Sequence, residues 1–368
     1  MSTDIVNRKA RIGDRIVTSL SNAAPAPGGR PRSTMRQVAE RAGVSVKTVS
    51  RVVNGEPSVA PATLRRVLSA AAALDFQPDP HAGNLRRSDR RTRTLGLLIS
   101  SVDNPFAGAI HRAVEDAAIG RGFAVFASSL DDDPEREEEA VAAFTRRRVD
   151  GLILTTSAQE QSYLEPEVRR GTPVVFVDRR PTGIACDAVV SDNAEGAAAA
   201  TRHLLAHGHR RLAYLGDRPA IQTAGERRRG FLEALGQAGV PVGDAVIVED
   251  LHDETVARKA LLRLLDGPEP PTAVFSAQNL ITIGALRALR ERGRHRDTAL
   301  IGFDDVALAD LMDPGVTVMA QHPDDIGRIA AERVFARLDG DDSPAQRITV
   351  DTTLIERGSG EIPAPSNT

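Results

Sequence analysis

One cysteine, Cys186, is all that this chain of 368 residues contains. An internal disulfide framework and any cysteine-based metal cluster are therefore excluded. No stretch approaches the roughly 18 consecutive apolar residues that a membrane helix needs. The first 30 residues also lack the uninterrupted apolar core of an export signal, so a cytoplasmic location is expected. There is no P-loop, no Gly-x-Gly-x-x-Gly after a strand and no Gly-x-Ser-x-Gly elbow. Carboxylates are plentiful, yet no pair of them reads as an acid–base site. His207-Gly208-His209 falls where a helix ends and reads as cap and surface rather than as a metal pair. Asp131-Asp132-Asp133 before Pro134 reads as a helix entry, with Glu135 to Glu139 favouring the positive helix end. No catalytic residue, metal ligand or cofactor is assigned, which points to a binding protein rather than an enzyme.

What is present is globular: 41% of residues are hydrophobic and 26% charged, over a length that suits about two domains. The formal charge of −3 conceals an asymmetry. Residues 30–93 carry 13 Lys or Arg against 5 Asp or Glu, a balance of +8, while residues 94–368 carry −13. A basic module on an acidic body suits a nucleic-acid reader with a separate sensor, because phosphates dominate such affinity.

Residues 34–54 hold the most specific pattern. Thr34 and Gln37 have capping-box spacing, and Met35, Val38 and Ala42 then share one helical face. Gly43 is placed to end that helix at positive φ, and Ser45 to cap a second one. In the second helix Val49, Val52 and Val53 form the inner stripe, while Lys47, Arg51 and Asn54 share the opposite face. Such a stripe suits phosphates and base edges in a DNA groove. Pro61 then opens a third helix, with Leu64, Val67, Leu68, Ala71 and Leu74 at helical spacing. The basic, proline-punctuated stretch from Phe76 reads as a linker.

From Thr94 onward short apolar runs alternate with helical stretches. Leu95–Ile99, Phe123–Phe126, Gly151–Leu154, Val174–Val177, Ala188–Val190, Leu212–Leu215, Ala273–Phe275 and Leu300–Ile301 read as strands. Ala107–Ala118, Glu135–Arg146, Gly196–His207, Ala224–Ala238 and Thr282–Arg292 read as helices. This alternation predicts an α/β fold with parallel sheets covered on both faces. Ligands of such sheets sit at the carboxyl ends of strands. The loops to inspect are thus Ser101–Phe106, Leu130–Asp133, Asp178–Arg180, Asp192–Asn193, Gly216–Arg227, Ala277–Asn279 and Phe303–Asp305.

The whole resembles the lactose-repressor/galactose-repressor family of bacterial transcription regulators, over residues 34 to 358. The segment from Val38 to Asn54 carries the resemblance most specifically. Asn104-Pro105-Phe106, Arg148 to Ile153, Val177-Asp178-Arg179, Asp192-Asn193, Gly208-His209-Arg210, Gly302 to Asp305 and Ile355 to Ser359 follow in order. The resemblance implies a tail over 1–33, a helix-turn-helix DNA-binding domain over 34–78, a hinge over 79–93 and a C-terminal tail over 359–368. Residues 94–358 would be an effector-binding and dimerisation body like a periplasmic sugar-binding protein. Its two Rossmann-like sub-domains would be joined by crossovers near 190, 320 and 350. A homodimer or tetramer is implied, with operator DNA and a small polar effector as partners and no membrane.

Carried over residue by residue, Val46 and Lys47 would choose bases and Arg51 would read one. Ser45, Thr48, Ser50 and Asn54 would mostly hold phosphates. Leu85 would wedge into the minor groove. Gly83 stands where the family usually has arginine. Ala60 replaces the usual serine cap, at a cost of about 1 kcal/mol. In the body, Asn104, Phe106, Asp192, Arg227, Leu251 and Asn279 are the expected effector residues. Leu251 occupies an often aromatic position, and Asn279 replaces the usual aspartate. Asp304 reads as structural. The function implied is sequence-specific transcriptional regulation, most simply repression, controlled by a sugar or sugar derivative. A nucleobase co-repressor system is the alternative within the class, and a stand-alone solute-binding protein the alternative outside it.

Overall fold

A computed structural model describes residues 33–53, 59–76 and 91–366. The chain divides into two compact units after Arg90. Asn54, Gly83 and Leu85 lie outside the described residues, as does all of the expected hinge except residues 91–93.

The first unit contains three described helices: α1 (Met35–Ala42), α2 (Val46–Val53) and α3 (Pro61–Ala73). Thr34 and Gln37 form a reciprocal capping box at the start of α1, with the Thr34 N–H donating to Gln37 Oε1 at 2.8 Å. Gly43 ends α1 at φ 62°. A side chain there would meet nothing within 4 Å, so backbone conformation rather than space calls for glycine. The Thr48 N–H donates to Ser45 Oγ at 3.1 Å, which caps α2. Val38, Ala39 and Ala42 then pack with Val49, Val52, Val67 and Ala70 into one small core. The inner face of α3 is narrower than its apolar pattern suggests: Leu68 is 54% exposed.

The second unit has two six-stranded sheets. The first runs in the order β11-β5-β4-β3-β1-β2 and is parallel throughout. Its strands are β1 (Thr94–Ile99), β2 (Ala124–Ser129), β3 (Gly151–Leu154), β4 (Val174–Val177), β5 (Asp187–Ser191) and β11 (Arg347–Val350). The second runs β12-β10-β9-β8-β6-β7, with only the edge strand β12 antiparallel. It comprises β6 (Leu212–Leu215), β7 (Val246–Val248), β8 (Ala273–Ser276), β9 (Ala299–Phe303), β10 (Thr317–Ala320) and β12 (Thr353–Ile355). Central strands are continuous apolar runs because helices bury both faces.

On the first sheet, α4 (Pro105–Gly120) and α11 (Pro323–Leu338) cover one face and α5 (Pro134–Arg146) the other. The short α6 (Glu165–Arg169) precedes β4. On the second sheet, α7 (Asn193–Ala206) and α8 (Gln222–Gln237) pack opposite α9 (Glu254–Leu265) and α10 (Asn279–Glu291). The α7–α8 contact is backbone-close: a Cβ on Gly230 would lie 2.0 Å from the Ala194 carbonyl oxygen.

Chain passes between the two sub-domains three times: from β5 into α7, from β10 into α11, and from β11 into β12. Asp192 stands on the first crossing and accepts the Thr352 N–H of the third at 2.8 Å. The C-terminal stretch is not a tail up to Ala364. Ser359 Oγ donates to the Leu300 carbonyl, the Ile362 carbonyl meets His209 Nε2 at 2.8 Å, and the Ala364 N–H donates to the His207 carbonyl. His209 is accordingly buried, with Nδ1 2.9 Å from Thr272 Oγ1, rather than on the surface. Its pKa is held below the ordinary histidine value, chiefly by burial. Cys186 is half-buried, and burial followed by the neighbouring Asp187 charge pushes its thiol up to about 11, which makes it unreactive.

Candidate functional site

In the first unit, Ser45, Val46, Lys47 and Arg51 all fall on the exposed side of α2, with Thr48 and Ser50 at its margin. The face that α2 buries is purely aliphatic, so every polar side chain of the helix lies outside it. Ser45 Oγ and Thr48 Oγ1 are 2.9 Å apart, which fixes both hydroxyls at the helix start. These residues come together as the second helix of a helix-turn-helix.

In the second unit, a cavity of about 300 Å³ lies between the carboxyl ends of the two sheets. The first sub-domain supplies Asp103, Asn104 and Phe106 after β1, Asp131 and Asp132 after β2, and Asp178 and Arg179 after β4. The second supplies Asp217 and Arg227 after β6, His252 and Asp253 after β7, Gln278 after β8, Asp304 after β9 and Gln321 after β10. Asp131, Asp132, Asp178 and Asp304 all have positive φ. Aspartate tolerates the left-handed region better than most residues, which is one reason this chemistry collects where strands turn sharply into loops.

Arg227 is held on three sides. Its Nε donates to Asn193 Oδ1 at 2.7 Å, Nη1 donates to the Ala277 carbonyl at 2.8 Å, and the guanidinium lies 3.9 Å from the Phe303 ring centroid. Arg179 pairs with Asp132 at 2.7 Å, both nine-tenths buried. Burial pushes the Asp178 carboxyl up to about 6; Arg179 and Arg227 oppose this, while Asp304 and Asp132 add to it. His252 sits above its ordinary value because it bonds Asp217 at 2.9 Å, an effect larger than its burial; Asp132 lies 3.8 Å away across the cleft.

Two further contacts join the sub-domains. Asn104 and Asn279 exchange amide hydrogen bonds. The Arg180 N–H donates to Gln222 Oε1 at 2.8 Å, and its guanidinium pairs with Glu226. Behind the first wall, the fully buried Glu137 accepts hydrogen bonds from Thr156 Oγ1, the Ser157 and Ala158 N–H groups and the Tyr163 hydroxyl. It therefore anchors the loop after β3 as well as sitting in the acidic first turn of α5.

Of the expected effector residues, Asn104, Phe106 and Arg227 line the cavity. Asn279 lies just behind it, buried against Asn104. Asp192 lies on the first crossing, bonded to Thr352. Leu251 is in the apolar core beside the second sheet, and its N–H donates to the Gly216 carbonyl. Asp133 caps α5 as a helix entry should, but Asp131 and Asp132 line the cavity instead. Asp304 does have a structural bond, from Gln321 Nε2, and lines the cavity as well. His252 and Gln321 were missed because the short strands preceding them carry weak apolar signals.

A helix-turn-helix unit followed by a two-lobed, periplasmic-binding-protein-like body defines a ligand-responsive DNA-binding regulator. Residues 34–79 match the model for bacterial regulatory proteins of the lacI family, and residues 201–360 match that for periplasmic binding protein-like domains. The chain is 34% identical over 336 residues to the HTH-type transcriptional regulator PtxS of Pseudomonas aeruginosa, covering 90% of this chain and 96% of the relative. It superposes on the lac repressor dimer bound to operator and the anti-inducer ONPF with a TM-score of 0.78, at 25% identity, over 90% of this chain and 99% of that one. A LacI family regulator from Enterococcus faecium with bound ribose gives a TM-score of 0.67 at 25% identity, over 74% of this chain and 100% of that one. This chain belongs to the LacI family, as a DNA-binding transcriptional repressor rather than an enzyme. No helix among the described residues is long and apolar enough to cross a membrane.

Proposed function

We propose that the protein is an operator-binding homodimeric repressor whose interlobe cavity takes a small polyhydroxyl effector, a sugar or sugar derivative. The observation that carries this is the lining itself: charged and amide groups from both lobes converge on one enclosed space, and Arg227 is locked in place among them. Polyols are recognised by just such dense, pre-oriented donors and acceptors. The ribose bound to the Enterococcus faecium relative supports the same class of ligand. A nucleobase would need a flat aromatic slot, and Phe106 is the one benzenoid ring among the lining residues.

In this reading Val46, Lys47 and Arg51 select bases, Ser45, Thr48, Ser50 and Asn54 hold phosphates, and Leu85 acts in the minor groove. The effector shifts the balance between two arrangements of the lobes, and DNA and effector binding are coupled reciprocally. The protein acts where its DNA lies, in the cytoplasm. A gel shift on the DNA upstream of the gene, with and without sugars identified by thermal shift, tests the whole scheme. A specific complex that every bound sugar leaves unchanged would refute it.

A further inference from the structure

The cavity is unusually rich in one kind of group. Seven aspartates line it, against two arginines and one histidine. The arginines are already engaged. Arg179 pairs with Asp132 and lies 3.6 Å from Asp178, and Arg227 spends Nε and Nη1 on Asn193 and the Ala277 carbonyl. His252 faces Asp217.

An independent observation comes from the second crossing between the lobes. Gln321 is 7% exposed and lines the cavity; its Nε2 donates to Asp304 Oδ1, while its Oε1 is buried with no hydrogen-bond partner. A buried acceptor left unpaired is costly, and only a hydrogen donor relieves it. The wall around Asp178, Asp304 and Gln321 thus presents acceptors and negative charge together. A hydroxyl can donate to such a wall, whereas a carboxylate or phosphate can only accept and adds a like charge.

We infer that the effector is an uncharged polyhydroxyl compound and that this cavity rejects the carboxylate and phosphate derivatives of the same skeleton. Asp178 is the discriminating residue. The inference rests on the polyol reading above and narrows it to one charge class.

Calorimetric titration of the full chain with matched pairs tests it: D-ribose and D-ribonate, D-glucose and D-gluconate, D-galactose and D-galactonate. A neutral member should bind, and its acid should bind roughly 100-fold more weakly, the penalty for one uncompensated like charge about 6 Å away at an effective dielectric of about 20. Asp178→Asn should then recover about tenfold of the acid's affinity and change that of the neutral sugar far less. An acid that binds the unaltered chain as tightly as its neutral partner overturns the inference and leaves the polyol reading intact. Equal changes for both members in Asp178→Asn overturn the role of Asp178. Binding of none of the six compounds overturns the polyol reading and this inference with it.

Discussion

Asn104 and Asn279 meet amide to amide between the two lobes. Asn279 Nδ2 donates to Asn104 Oδ1 at 2.9 Å, and Asn104 Nδ2 donates to Asn279 Oδ1 at 3.4 Å. Each oxygen also accepts a helix-start N–H, from Phe106 at 3.0 Å and Leu280 at 2.8 Å. The pair therefore fastens the starts of α4 and α10 to each other. Asn279→Ala leaves one buried amide without its partner, so it should cost about 1–3 kcal/mol of stability and weaken effector binding roughly tenfold. Denaturant melts and titration of the same sample check this. Unchanged effector affinity would show that the amide pair takes no part in closing the lobes.

His252 gives a pH signature. Its folded pKa lies above the ordinary 6.5 because of the bond to Asp217. Its contribution is thus fully present below about pH 6.5 and is lost as pH rises through the folded value. Between about pH 6 and pH 8 the wild-type Tm should fall about 1–2 °C more than that of His252→Gln, a modest difference because the ring is partly solvated. Parallel slopes for the two proteins would remove His252 as the cause.

Gly230 and Gly236 lie on the same helix, α8, with opposite expectations. A Cβ at Gly230 would meet the Ala194 carbonyl oxygen at 2.0 Å, whereas one at Gly236 would meet nothing within 4 Å. Gly230→Ala should therefore destabilise by about 1–3 kcal/mol or more through forced separation of α7 and α8. Gly236→Ala should stabilise by about 0.5–1 kcal/mol through helix propensity. Urea denaturation of both variants reads the contrast directly.

On α2, Lys47 and Arg51 are both exposed. Loss of a base contact should cost about 1–3 kcal/mol at one operator position, while loss of a phosphate contact should weaken all sequences alike and lower the salt slope by about one. Lys47→Ala and Arg51→Ala are expected to show the first pattern in binding assays over randomised operator sites. A uniform loss would reassign the residue to the backbone.

Much of this architecture was legible from the chain, and the exceptions have physical causes. Thr34, Gln37, Gly43 and Ser45 announce their helix ends through local chemistry, which the structure reproduces bond for bond. The central strands were visible because full burial makes them plain apolar runs. Missed were β7, β11 and β12, edge strands of three or four half-exposed residues, and β10, where Thr317 and Met319 dilute a fully buried run. The helices α9 and α11 went unread because charged residues interrupt their apolar stripes. At the site, the loops after the strands were foreseeable but side-chain direction was not. Leu251 turns into the core, and Asp132 faces the cavity although its neighbour Asp133 caps a helix. The Arg180 contact with Gln222 and Glu226 joins residues over 40 positions apart, beyond any local signal.

The bond between Asp192 and Thr352 makes the first and third crossings mechanically one piece. Two independent threads would let the lobes slide past each other as well as swing. Stitched together, they behave as a single leaf spring, and relative motion of the lobes is confined to bending about its line. Whatever fills the space between the lobes then works at the end of a lever with a fixed axis, so a small displacement at the cavity reappears, enlarged and in one direction, at the far surface of each lobe.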